Sequence, residues 1–287
     1  MPVAVVTDST AYLASTTVSA AGVRVVPLQV VVGGRAYDEG VDIDSRAVAS
    51  ALRAFTPVTT SRPSPESFLA SYVALADAGA DAIVSLHISA EMSGTYESAV
   101  LAARDSPVPT QVVDSRSLGM GLGFLVVQAA AEARGGASVD DVVRAARARA
   151  AVTKAYFYVA TLEHLRRGGR IGAAAALLGS ALAIKPLLVL DDGHIHPLEK
   201  VRTSSRALAR LEELAVAAVR SAKVPVVDLA VHHLDASLVA QSLAERLRAA
   251  LAGGGLLGEL VVGEVGAVVG AHVGPGMVAV VVSPRLG

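Results

Sequence analysis

The sequence predicts an α/β protein in two parts: an N-terminal half on a mostly parallel, Rossmann-like sheet flanked by helices, and a C-terminal α/β half with a mixed sheet. Three observations predict it. Short β-branched runs alternate with longer Ala-rich helical patterns through the first half. Val3–Val6 is apolar without alternation, as a strand buried on both faces requires. In the second half Asp192-Gly193 stands between Leu187–Leu190 and Ile195–Leu198, a strong hairpin signal that calls for antiparallel pairing.

In chain order, the strand Val3–Val6 is followed by strand-like Val23–Val32, broken at Pro27 and turned by Gly33-Gly34. Ser45–Phe55 is helical, with Asp44 or Ser45 as N-cap, and Pro65–Ala78 is a helix with Pro at its first position. A buried strand at Ala82–His87 leads to a helix from Gly94 to Arg104. Strand Gln111–Val113 leads to helix Leu118–Arg134, ended by Gly135-Gly136. Helix Ser138–Val152 closes the first part, and the boundary falls between 153 and 160, giving domains 1–155 and 156–287. The second part reads as Lys154–Ala160, a short helix Leu162–Arg166, an Ala-rich segment to Ile184, the hairpin, and helix Ser204–Ala222. Strand Asp228–His232, helix Ala236–Leu251 and two closing strands complete it.

Composition excludes several function classes. The net charge of −1 gives no electrostatic footprint for nucleic acid or anionic lipid surfaces. Zero cysteines exclude disulfides, a thiol nucleophile and thiolate zinc sites, and fit a reducing cytoplasm. Apolar residues make up 53% and aromatics only 3%, so the oil is Ala, Val and Leu. The longest charge-free run, Val265–Pro284, contains four Gly and Pro275 and reads as two strands around a turn rather than as a membrane span. Met1-Pro2-Val3 carries no basic leader, so a soluble cytoplasmic chain is expected. There is no P-loop, and Gly119-x-Gly121-x-Gly123 lacks the dinucleotide spacing. His194-x-His196 and His232-His233 have no carboxylates at ligand spacing, so no metal and no cofactor are expected.

Polar residues collect after the strands of the first half. Val3–Val6 runs into Thr7-Asp8-Ser9-Thr10, Ala82–Ile88 into Ser89 and Ser93-Gly94-Thr95, and Gln111–Val113 into Asp114-Ser115. Ligands of parallel α/β sheets sit beyond the carboxyl ends of the strands. Each loop is equally a set of helix N-caps; three at one edge point to a shared site. Gly94 allows close approach to free backbone N–H groups, which favours a bound anion. Ser93 lacks the G-x-S-x-G elbow of a serine hydrolase. Thr59–Pro65 reads as a polar loop that starts a helix, His272 as a lone imidazole in a glycine-rich turn, and Arg166–Arg170 as a solvated basic turn or an oxyanion site.

Six ordered blocks resemble the DegV family, the fatty-acid-binding subunits of bacterial fatty acid kinase. They are Val6–Thr10, Thr60–Pro65, Ile88–Ala99, Val113–Gly123, Leu162–Lys185 with Lys200–Thr203, and Gly270–Gly276. The resemblance implies two α/β domains with a long-chain fatty acid buried between them, and no turnover by this subunit alone. It implies that Thr60, Ser93 and His272 hold the carboxylate, with Ser61, Arg62, Gly94, Thr95, Asp8 and Ser9 as further pocket candidates. It implies a separate ATP-dependent kinase as partner, making acyl phosphate for phospholipid synthesis, with Arg170 and Arg202 as candidates for the face it meets. Arg62 stands where the family commonly has Gln. The alternative is an esterase or thioesterase using Ser93 and His272.

Overall fold

A computed structural model describes residues 2–177 and 185–286. The chain runs through β1 (Val3–Asp8), a 3-10 turn Ser9–Ala11, α1 (Ser15–Ala21), β2 (Arg24–Val26), β3 (Gln29–Val32) and β4 (Arg35–Asp38). It continues with α2 (Ser45–Arg53), β5 (Val58–Ser61), α3 (Pro65–Asp77), β6 (Ala82–His87), α4 (Thr95–Ala103) and β7 (Thr110–Asp114). Next come α5 (Met120–Arg134), α6 (Val139–Val152), β8 (Lys154–Tyr158), α7 (Glu163–Arg167) and a 3-10 stretch Gly172–Leu177. The chain closes with β9 (Lys185–Asp191), β10 (His194–Val201), α8 (Ser204–Ser221), β11 (Val227–His233), α9 (Ser237–Leu251), β12 (Leu257–Glu264), α10 (Ala267–Val273) and β13 (Val278–Pro284). The Ala-rich segment expected to reach Ile184 lies, from residue 178 on, outside the described residues.

The first sheet has the order β2-β1-β6-β7 and is parallel throughout. Alternate strand residues feed two faces. Val5, Val84 and Leu86 pack on Leu122 and Leu125 of α5, while Val6 and Ile83 pack on Phe68 and Tyr72 of α3. That double burial is why these strands carry no polar alternation. Asp44, Ser64 and Ser138 cap α2, α3 and α6 by accepting backbone N–H bonds.

The second sheet has six strands in the order β10-β9-β8-β13-β11-β12, antiparallel except for the parallel β11–β12 pair. Asp192, at φ 49°, and Gly193, at φ 82°, form its hairpin turn. One face packs on α8 and α9 through Leu211, Leu229 and Leu247. The other face meets α5 and α10 in a cluster with Phe124, Phe157, Leu188 and Val269. Buried Arg149 of α6 joins the two halves by donating to Asp228 of β11 (2.6 Å) and Ser283 of β13 (2.9 Å).

Three features depart from the sequence expectation. A small antiparallel sheet, β4-β3-β5, takes up Thr59–Ser61, which reads as loop because none of those three residues is apolar. The short helix α1 buries none of its residues and so leaves no apolar stripe in the sequence. Val265–Pro284 is not two strands: α10 precedes the single strand β13. Val268 and Ala271 pack on Leu28, Val30 and Val48, while Val269 joins the large cluster, a helical division of faces that overrides the strand preference of Val-Val. His272 is therefore helical, not part of a turn.

Candidate functional site: a polar-ended cavity between the sheets

A cavity of about 140 Å³ lies among β5, the β6–α4 loop, the segment after α7, β10 and α10. Ile88, Met92, Leu118, Leu165, Ile195 and the valines of α10 make most of its wall. Its polar lining is Thr60, Ser61, Arg62, Ser93, Gly94, Arg170 and His272, with no acidic residue. Each half of the chain contributes to both the apolar and the polar parts.

The polar end is built from distant segments. Thr60 lies on β5 and His272 on the last turn of α10, and Thr60 Oγ1 and His272 Nε2 are 2.9 Å apart. Burial, with the Arg170 guanidinium nearby, pushes the His272 imidazole down to about 4, so the ring is neutral at physiological pH. Its Nδ1 is buried without a partner among the described residues. Gly168 lies against that ring, where a Cβ would collide with Nδ1. If Nε2 carries the proton and donates to Thr60, the Thr60 hydroxyl proton is free to point into the cavity. Ser93 Oγ is 2.8 Å from Thr95 Oγ1 and caps the Thr95 N–H at 3.3 Å.

Arg170 enters the cavity wall and is not confined to a solvated turn. Its Nε donates to Met92 O (2.9 Å) and its Nη1 to Gly168 O (2.6 Å). Arg62 lies across the mouth, its Nη1 3.4 Å from Gly94 O. Thr60, Arg170 and His272 also line an open groove of about 800 Å³, rimmed by Arg53, Arg167 and Phe55, so the polar end faces both interior and surface. Arg202 is exposed on the β10–α8 loop and lines neither space.

Other sequence candidates lie elsewhere. Asp8 is sealed in the parallel sheet, where it accepts from Thr10 N, Thr10 Oγ1, Ile88 N and His87 Nδ1. Ser9 accepts from Leu28 N and donates to buried Glu39 at 2.5 Å. Thr95 is buried beneath Ser93 and outside the cavity lining. A strand-end hydroxyl loop serves caps and ligands alike; Asp8, Ser9 and Thr95 bond within the fold and do not line this cavity, while Asp8 and Ser9 line a separate groove. Among the described residues the hydrolase pairing of Ser93 with His272 is not formed: Thr60 is the partner of Nε2, and no carboxylate orients Nδ1.

One contributor carries no signal in the sequence. Glu39 accepts the Val268 N–H at 2.7 Å, fixing the first turn of the helix that carries His272 in its last turn. Burial pushes its carboxyl up to about 7, against the lowering effect of its Ser9 and Val268 hydrogen bonds. A Cβ on Gly266 would strike Glu39 and Tyr12, so this approach requires glycine.

The family model described as DegV matches residues 2–285. The chain belongs to the DegV family. A DegV domain-containing protein of Streptomyces coelicolor is 58% identical over 283 residues, 99% of each chain. A DegV family protein from Thermus thermophilus, solved as a fatty acid binding structure, superposes with a TM-score of 0.92 at 33% identity over 99% of this chain and 100% of the other. DegV of Bacillus subtilis, described as a fatty acid binding protein, gives 0.90 at 32% identity over 99% and 100%. The two-part α/β architecture expected from the sequence is thus that of the DegV fold. No helix among the described residues is long and apolar enough to cross a membrane, and no group of His, Asp and Glu among them is placed to hold a metal.

Proposed function

We propose that this DegV-family chain carries a long-chain fatty acid between domains 1–155 and 156–287, carboxylate at Thr60, Ser93 and His272, and presents that carboxylate to a separate ATP-dependent kinase. The observation that carries the reading is an apolar cavity closed at one end by hydroxyls, a neutral imidazole and unpaired guanidinium groups, with no acid among its lining residues. Burying a methylene is worth about 0.8 kcal/mol, so a 16-carbon tail gains on the order of 10 kcal/mol before ordering costs. A buried carboxylate is costly unless hydrogen-bonded, and Thr60 and Ser93 can supply those bonds.

The cavity is smaller than the roughly 300–1,000 Å³ of drug-sized ligand sites. In this reading the tail displaces side chains of the adjoining cluster that holds Leu165, Phe124 and Phe157. Low aromatic content and abundant Ala, Val and Leu suit a long, narrow space. The groove shared by Thr60, Arg170 and His272 is the route by which a kinase reaches the head group. The sequence contains no G-x-x-x-x-G-K-[ST] run.

Mass spectrometry of the protein purified from a bacterial host, native and then solvent-extracted, tests the reading. One fatty acid per chain is the expected result. A chain that stays empty after incubation with a panel of free fatty acids would overturn it.

A further inference from the structure

The mouth of the cavity holds two guanidinium groups, and they are held differently. Arg170 is half-buried and fixed by two short bonds to backbone carbonyls. Arg62 is exposed and spans from the β5–α3 loop to the β6–α4 loop, with one long bond to Gly94 O at 3.4 Å. It lies so close over Gly94 that a Cβ there would collide with its guanidinium. Neither arginine has an acidic partner among the described residues, although Arg53, Arg116, Arg166, Arg167 and Arg210 all do. A guanidinium bonded only to a neutral carbonyl forgoes the stronger charge-assisted bond that an anion would offer.

We propose that Arg62 is a specificity-determining residue, which turns from Gly94 O onto the carboxylate of the bound acid and selects anionic acyl ligands over neutral ones of the same length. The inference rests on the fatty acid reading above. Ser93 and Gly94 are consecutive, so a head group at Ser93 lies beside the Arg62 guanidinium, and the side chain's exposure leaves it free to move. Arg170 already occupies two donors on the protein and acts as a fixed wall; Arg62 supplies a free fork. The gain is restricted to ligands that carry a charge, because an alcohol or an ester offers no anion to the guanidinium.

The test compares Arg62→Gln and Arg62→Lys with the unaltered chain, using palmitic or oleic acid, whichever binds tighter, and the alcohol of the same chain. Arg62→Gln should weaken acid binding about tenfold, the scale of one charge-assisted bond, and leave alcohol binding unchanged. Arg62→Lys should fall between, because it keeps the charge and loses the fork. The salt dependence of acid binding should be shallower in Arg62→Gln. An equal loss for acid and alcohol would make Arg62 a mere cover of the cavity and overturn the proposal, as would no loss at all. An unaltered chain that binds neither acid would instead overturn the carrier reading, and this one with it.

Discussion

Two histidines in this molecule meet a hydroxyl at nearly the same distance, and their surroundings differ throughout. His87 Nε2 is 2.7 Å from Ser85 Oγ, and His272 Nε2 is 2.9 Å from Thr60 Oγ1. Around His87 the network is complete. Asp8 accepts from Nδ1 at 3.0 Å, Tyr72 donates to Ser85 at 2.9 Å, and every member is buried. Desolvation pushes the Tyr72 phenol up to about 12, so it stays a donor. Around His272 the network is unfinished: Arg62 and Arg170 bond to backbone carbonyls and meet no acidic partner among the described residues. A closed polar network fixes a fold, whereas an open one beside an apolar cavity is short of the groups a ligand brings.

The comparison breaks first, and by the largest amount, at Asp8. Asp8→Ala removes an acceptor from four buried donors and strands His87, which should cost about 3–5 kcal/mol of stability. Denaturant unfolding measures it. A loss under 1 kcal/mol would mean that the closed network is not structural.

The open network should behave in the opposite way. Thr60→Val with Ser93→Ala keeps the shape and removes two hydroxyls; because His272 Nε2 and Thr95 lose partners, it should cost about 1–3 kcal/mol of stability, less than Asp8→Ala. Fatty acid occupancy, read by mass spectrometry, should fall at least tenfold. Retained occupancy in a folded double variant would remove these two residues from the head-group site.

How much of this contrast is legible in the sequence depends on what each residue signals. Strands β1 and β6 announce themselves because both faces are buried, and α3 because Ser64 and Pro65 mark its start. The two networks are not separable by sequence, since Asp8 and Ser9 follow a strand as Ser93 follows β6, and capping and ligand binding ask for the same residue types. Arg170 looks like a solvated charge in a basic turn, and only packing turns it inward. α10 is hidden by Val268-Val269, whose strand preference yields to contacts with β3, α2 and the cavity. Glu39 is invisible because its partner, Val268 N, lies far along the chain.

Acid titration sharpens the contrast between the two ends of α10. Glu39 keeps its proton up to about pH 7 in the fold but loses it near 4.5 when unfolded. Between those values the native state binds more protons, so this contribution to stability declines as pH rises, by about 3 kcal/mol at most. His272 acts with the other sign. Held near 4 in the fold against 6.5 unfolded, it leaves the unfolded chain with more protons in that window, so its contribution grows as pH rises. Between pH 4.5 and 6.5 the two contributions nearly cancel, so Glu39→Gln should remove the falling one and leave stability rising with pH through that window. Unfolding curves at half-unit pH steps check it; an unchanged profile would contradict the buried, protonated Glu39.

The smallest effect separates Arg202 from Arg170. Arg202 is exposed and lines neither cavity nor groove, so Arg202→Ala should change stability by less than about 0.5 kcal/mol and leave fatty acid occupancy intact. Arg170→Ala removes bonds to Met92 O and Gly168 O and a cation from the cavity wall, so both occupancy and presentation should suffer. If Arg202 belongs to the face that meets the kinase, Arg202→Ala lowers acyl phosphate formation from a fully loaded carrier. The defect should shrink as kinase concentration rises, because the head group itself is undisturbed. Normal turnover at low kinase would confine the partner face to the groove around Thr60, Arg170 and His272. A defect that persists at saturating kinase would instead mean that Arg202 acts on the head group from a distance, which its position beyond β10 gives no means to do.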